Sequence, residues 1–190
     1  MRKNNLFNCH RLEIRLFFAC MVIACIATSG LTKGTQAAEK VSPFYPGEKL
    51  TFQIKWSFIP AGEAVLAVLP LETIDGVKSY HFVMLARTYP FIDIFYKVRN
   101  RIDAYTDVEM TRSILYKKKQ QEGRTQRDIV VNFDWERIEA QYSNFGEKKT
   151  PVSILPGSFD PLSVLYAFRL HDLKENIEIE IPVTDGKKSN

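Results

Sequence analysis

Residues 43–70 read PFYPGEKLTFQIKWSFIPAGEAVLAVLP, and the spacing inside this stretch decides the fold class. Leu50, Phe52, Ile54, Trp56 and Phe58 alternate with Thr51, Gln53, Lys55 and Ser57. Side chains of a strand point to opposite faces with period two, so the stretch writes one apolar face and one wet face. That suits an antiparallel sheet with one face on a core. Pro46-Gly47 before the strand and Pro60-Ala61-Gly62 after it are turn signals, because proline presets φ and glycine tolerates positive φ. Glu63–Leu69 then returns as a second strand, which predicts a hairpin with a loop longer than two residues.

Downstream the same period recurs. Asp75-Gly76 is a hairpin turn signal, and Lys78–Thr88 alternates with both faces rather apolar, which predicts a central strand. Tyr89-Pro90-Phe91 breaks the ladder, since proline has no N–H to give it. Phe91–Tyr96 (FIDIFY) suits either a helical turn or a strand. Alternation resumes over Lys97–Tyr105, Ser113–Gln121, Thr125–Phe133 and Arg137–Tyr142, with turns at Glu122-Gly123, Asp134-Trp135-Glu136 and Asn144-Phe145-Gly146. Such short strands predict a mainly β fold, a curved antiparallel sheet forming a partly open barrel or a sandwich. One short helix is expected on it, from Pro161 to about His171, with Asp160 as N-cap and Pro161 at the first helical position. Ile177, Ile179, Ile181 and Val183 alternate as a half-buried strand, and Asp185-Gly186 announces a turn with no return strand before Asn190. The expectation is a fold that continues past Asn190, leaving 38–190 as a single but incomplete domain.

Upstream, Arg2, Lys3, Arg11 and Arg15 precede an apolar run, Leu16–Ala27, followed by the small-residue site Thr35-Gln36-Ala37. This is the layout of a secretory signal peptide over residues 1–37, and it predicts a periplasmic protein with no transmembrane span in the mature chain. Val22-Ile23-Ala24-Cys25 offers the alternative of a lipid anchor at Cys25. The chain carries 26 Lys+Arg against 22 Asp+Glu. Removing the five bases and one acid of the leader leaves 21 of each. That balance gives no electrostatic reason to expect a nucleic-acid partner. All three cysteines lie in the leader, so the mature chain has neither a disulfide nor a cysteine nucleophile.

Several segments, taken in this order, resemble the family termed "domain of unknown function 3108". They are Pro46-Gly47-Glu48-Lys49-Leu50-Thr51-Phe52, Ile59-Pro60-Ala61-Gly62-Glu63-Ala64, Ala86-Arg87-Thr88, Glu122-Gly123, Phe159-Asp160-Pro161-Leu162-Ser163 and Val183-Thr184-Asp185-Gly186-Lys187-Lys188. The resemblance covers about Phe44 to Lys188, the N-terminal two-thirds of the family's pattern. It implies a secreted, mainly antiparallel β protein of the Gram-negative periplasm, and it brings no catalytic residues.

Candidate sites are sparse. No serine sits in a nucleophile elbow, no glycine-rich phosphate loop is present, and His81 and His171 have no partners at metal-ligand spacing. No cofactor, metal or catalytic set is expected. Trp56 could line a ligand cavity, although an aromatic on an apolar strand face also suits a core. Arg87 follows an apolar run, so it should either contact a ligand or be buried against a carboxylate. Asp160 is accounted for by capping. The reading is a non-enzymatic protein binding a cell-envelope component (lipid, glycan or partner protein) through Trp56 and Arg87. The alternative is a hydrolase of an envelope polymer using two of Asp103, Glu122, Asp128 and Asp134.

Overall fold

A computed structural model describes residues 42–172 and 178–187. The leader, Cys25 and Ile177 lie outside the described residues. Strands β1 (Lys49–Trp56), β2 (Ile59–Ile74), β3 (Val77–Thr88), β4 (Val98–Asp107), β5 (Ser113–Glu122), β6 (Thr125–Asp134), β7 (Glu139–Asn144) and β8 (Glu147–Lys148) follow one another across one sheet, and β9 (Val152–Ser153) pairs with β7. All these pairings are antiparallel and the sheet is not closed. Helix α1 (Pro90–Asp93) lies in the β3–β4 connection, and α2 (Ser163–Phe168) packs on the sheet. The mainly β fold with a short packed helix is what the alternation predicts.

The register says which residues share a face. Val68, Phe82, Ala104, Tyr116, Val131 and Tyr142 follow one another across β2 to β7. They form the core with Phe44 and with Leu162, Tyr166 and Ala167 of the α2 region. Tyr166 stacks on Phe82 with ring centroids 3.9 Å apart, and Phe44 meets both rings edge-on. Arg169, just after α2, donates from Nη1 to Glu48 Oε1 at 2.5 Å and from Nη2 to Glu48 Oε2 at 3.0 Å, tying the segment before β1 to the helix.

Four sequence expectations are corrected. The β1–β2 connection is a two-residue turn at Ser57-Phe58, with Ser57 at φ 58°. Pro60-Ala61-Gly62 lies inside β2 instead, where the register shifts between Ile54 and Lys55. Proline is tolerated there because a bulge relaxes the ladder. Gly62 is needed because a Cβ there would lie 2.4 Å from the Arg87 carbonyl oxygen.

Second, the apolar side of β1 is not buried: Leu50, Phe52 and Ile54 are 40–49 % exposed and Trp56 75 %. It stands at the sheet edge, beyond the reach of α2. Third, the helix is shorter than Pro161–His171. Asp160 Oδ1 does accept from the Leu162 and Ser163 amides at 2.9 Å each. Arg169, Leu170 and His171, however, donate to carbonyls three residues back, a tighter winding than the α-helix. Fourth, residues 178–187 do not extend the sheet as a ladder. Val183 makes a single parallel bridge to Phe159. The Asp185-Gly186 turn closes locally, with the Lys187 amide donating to Asp185 Oδ1 at 2.9 Å. Gly186 lies flat on the sheet, where a Cβ would come 2.8 Å from Val131 Cγ1.

Candidate functional site

The helix covers only part of its face of the sheet. The next row across the strands is Leu50, Leu66, Met84, Ile102, Lys118 and Ile129, and the row after it is Phe52, Ala64, Ala86, Asn100, Gln120 and Arg127. From β1 to β4 these rows are almost wholly apolar, with small residues at Ala64 and Ala86 that leave a trough between larger side chains. From β5 onward they turn cationic. A cavity of about 370 Å³ opens where the trough meets α2, lined by Met84, Ile102, Leu165, Lys118, Arg127, Tyr142 and Lys187 among others. Ligand sites run from about 300 to 1,000 Å³, so the cavity admits a small group or one end of a longer molecule.

Electrostatics divide this groove in two. Lys118, Arg127 and Lys187 form no ion pair among the described residues. Lys187 Nζ stands 4.9 Å from the Tyr142 ring centroid. Asp185 lines the same cavity, and Glu122 is a second acid nearby. Hydrogen bonds from Asn100 and Gln120, with help from Lys118 and Arg127, hold its carboxyl below the usual range. Gln120 Oε1 is buried and accepts no hydrogen bond among the described residues. Burial pushes the Tyr116 hydroxyl well above its ordinary value, so it stays neutral and is a donor at physiological pH.

The opposite face carries a second depression of about 420 Å³, bordered by Glu63, Leu85, Arg87, Arg99, Arg101 and Lys119. Arg87 is there, and it does have a carboxylate: its Nε and Nη2 both donate to Glu63 Oε1, at 2.8 and 2.7 Å. Its side chain is 63 % exposed, which corrects the expectation of a buried ion pair. The strand carrying Arg87 has an apolar run on both faces, but near its end the sheet's second face is open to water. Trp56 lies apart from Arg87, on the groove side of β1 and at its end, so the two residues do not share one site.

A further cluster went unread in the sequence. His81 is buried between two acids, with Nδ1 2.6 Å from Glu72 Oε1 and Nε2 2.9 Å from Asp103 Oδ1. Arg101 forks onto both oxygens of Asp103 at 2.8 and 2.7 Å. Burial alone would raise the Asp103 carboxyl, and the Arg101 and His81 hydrogen bonds outweigh it, so its pKa falls below the ordinary value. The two acids come from residues 9 and 22 positions away, a separation that no local spacing rule reports. Period-two alternation divides the acids named for hydrolysis: Glu122 is on the helix-bearing face, while Asp103 and Asp128 are on the other. Asp134 Oδ1 accepts from the Glu136 and Arg137 amides in the β6–β7 turn. Asp160 is fully buried, and Ser113 Oγ donates to it at 2.6 Å; burial raises its pKa against that bond.

A family model described as "Protein of unknown function (DUF3108)" matches residues 51–190. No curated protein and no solved structure matches the chain.

Proposed function

The chain belongs to the DUF3108 family, and from that premise we propose that it is an exported, periplasmic, non-enzymatic binding protein for an amphipathic anion of the cell envelope. The ligand's apolar part lies along the trough from Leu50 to Ile102, and its acidic head meets Lys118, Arg127 and Lys187. One observation carries this reading: an apolar row of Leu50, Leu66 and Met84, open at its β1 end, leads to a cavity where Lys118, Arg127 and Lys187 outnumber the acids beside them, Asp185 and Glu122, and form no salt bridge among the described residues.

Magnitudes assign the roles. Covering about 100 Å² of apolar floor contributes about 2.5 kcal/mol, whereas an exposed ion pair contributes about 0.2–1 kcal/mol. The floor therefore supplies affinity, and the cations choose among apolar molecules by their heads.

Native mass spectrometry of the full chain purified from its producing cells tests the proposal. The expected spectrum shows a co-purified acidic lipid-like mass that K118E/R127E loses. A wild-type chain that always flies bare, or a ligand held equally by the variant, would count against it.

A further inference from the structure

One end of the sheet gathers six large apolar side chains that nothing covers among the described residues. Trp56 is 75 % exposed, Phe58 84 %, Phe91 48 %, Ile94 79 %, Phe95 84 % and Tyr96 53 %. They come from two separate connections. The register pairs Trp56 with Ile59, Gly62 with Thr88 and Val98 with Glu122, so the β1–β2 turn, the α1 connection and the β5–β6 turn all open at this end.

These side chains are held outward by structure. Two-residue hairpin turns favour Asn, Asp and Gly, yet here Phe58 occupies the tip, after Ser57 at φ 58°. In the α1 connection the Ile92 and Asp93 amides donate to the Tyr89 carbonyl, and those of Phe95 and Tyr96 to the Ile92 carbonyl. Arg99 fastens Asp93 from below. Tyr96 lies on Gly123, where a Cβ would come 2.8 Å from its ring.

Charge at this end is lopsided. The acids are engaged: Asp93 with Arg99, Glu63 with Arg87, and Glu122 with Asn100. Lys55, Lys97 and Arg124 are exposed and form no ion pair among the described residues. Separate aromatic tips ringed by unpaired bases match the headgroup layer of a bilayer, where Trp and Tyr are favoured and anionic lipids attract Lys and Arg. We propose that this end of the sheet docks on an anionic lipid bilayer, with Phe58 and Phe95 entering the interface. This surface is distinct from the groove and does not depend on the groove's ligand.

Vesicle flotation of the full chain tests it, with phosphatidylcholine vesicles alone and with phosphatidylglycerol added. Wild type should float with the anionic vesicles, and F58S/F95S should lower that partition about tenfold. Both side chains are exposed, so the variant should fold, and an unchanged dodecyl phosphate affinity would separate this surface from the groove. In a W135F background Trp56 is the one remaining tryptophan, and its emission should shift to the blue on anionic vesicles. Failure of wild type to float, flotation unchanged in F58S/F95S, or vesicle binding replaced by self-association through these residues would overturn the proposal.

Discussion

Gly62 sits where two parts of the sheet meet most closely. It is not a turn glycine, as its Pro-Ala-Gly setting suggests. Instead the β3 backbone passes so near that even a methyl group would meet the Arg87 carbonyl oxygen at 2.4 Å. A backbone carbonyl cannot move aside as a flexible side chain can. Gly62→Ala should therefore cost about 1–3 kcal/mol, read as a lower urea midpoint with an unchanged slope. Replacement of the exposed turn residue Ser57 by glycine would not show such a loss, since its positive φ suits glycine. Arg87 teaches a related point. Its residue type correctly implied a carboxylate partner, but burial is decided by which strands lie opposite and by where the sheet ends. Neither is written in residues 78–88.

At the scale of elements, the strands were legible and their covering was not. Alternation gave β1, β3, β4, β5 and β6 to within a residue or two, because period two is a local property of the chain. Asp75-Gly76 is a tight turn as read, and the turn read at Glu122-Gly123 falls one residue later, at Gly123-Arg124, with Glu122 still paired in β5. What alternation cannot state is whether an apolar face meets a core, and the apolar side of β1 does not. The groove was invisible for the same reason: its rows are assembled across six strands, one residue from each. The attachment of the Ser42–Glu48 segment to α2 is equally non-local, resting on Glu48 and Arg169, 121 residues apart.

That clamp makes a pH prediction. The Arg169 hydrogen bond holds the Glu48 carboxyl below its ordinary value of 4.5. A carboxyl whose pKa is depressed by folding contributes stability that is fully present above its unfolded pKa and is lost as pH falls through the folded one. Between pH 6 and pH 3 the urea midpoint of wild type should fall more steeply than that of Glu48→Gln. At pH 6 the variant should already be the less stable of the two. Parallel curves for the two proteins would show that the clamp contributes nothing.

Among the described residues the sheet is left open along β1, and α2 packs on one face at one end of it. A closed core would have used Leu50, Phe52 and Ile54 to pack against the chain itself. Here they extend an apolar floor that stops at Lys118, Arg127 and Lys187. If this floor and these cations act together on one molecule, calorimetric titration of the full chain with dodecyl phosphate and with dodecyl maltoside will show it. The two amphiphiles share a tail and differ in head charge. Dodecyl phosphate should bind about tenfold more tightly, and the difference should vanish in K118E/R127E. Equal affinity for the two amphiphiles, or a preference for phosphate that survives in the variant, would contradict it.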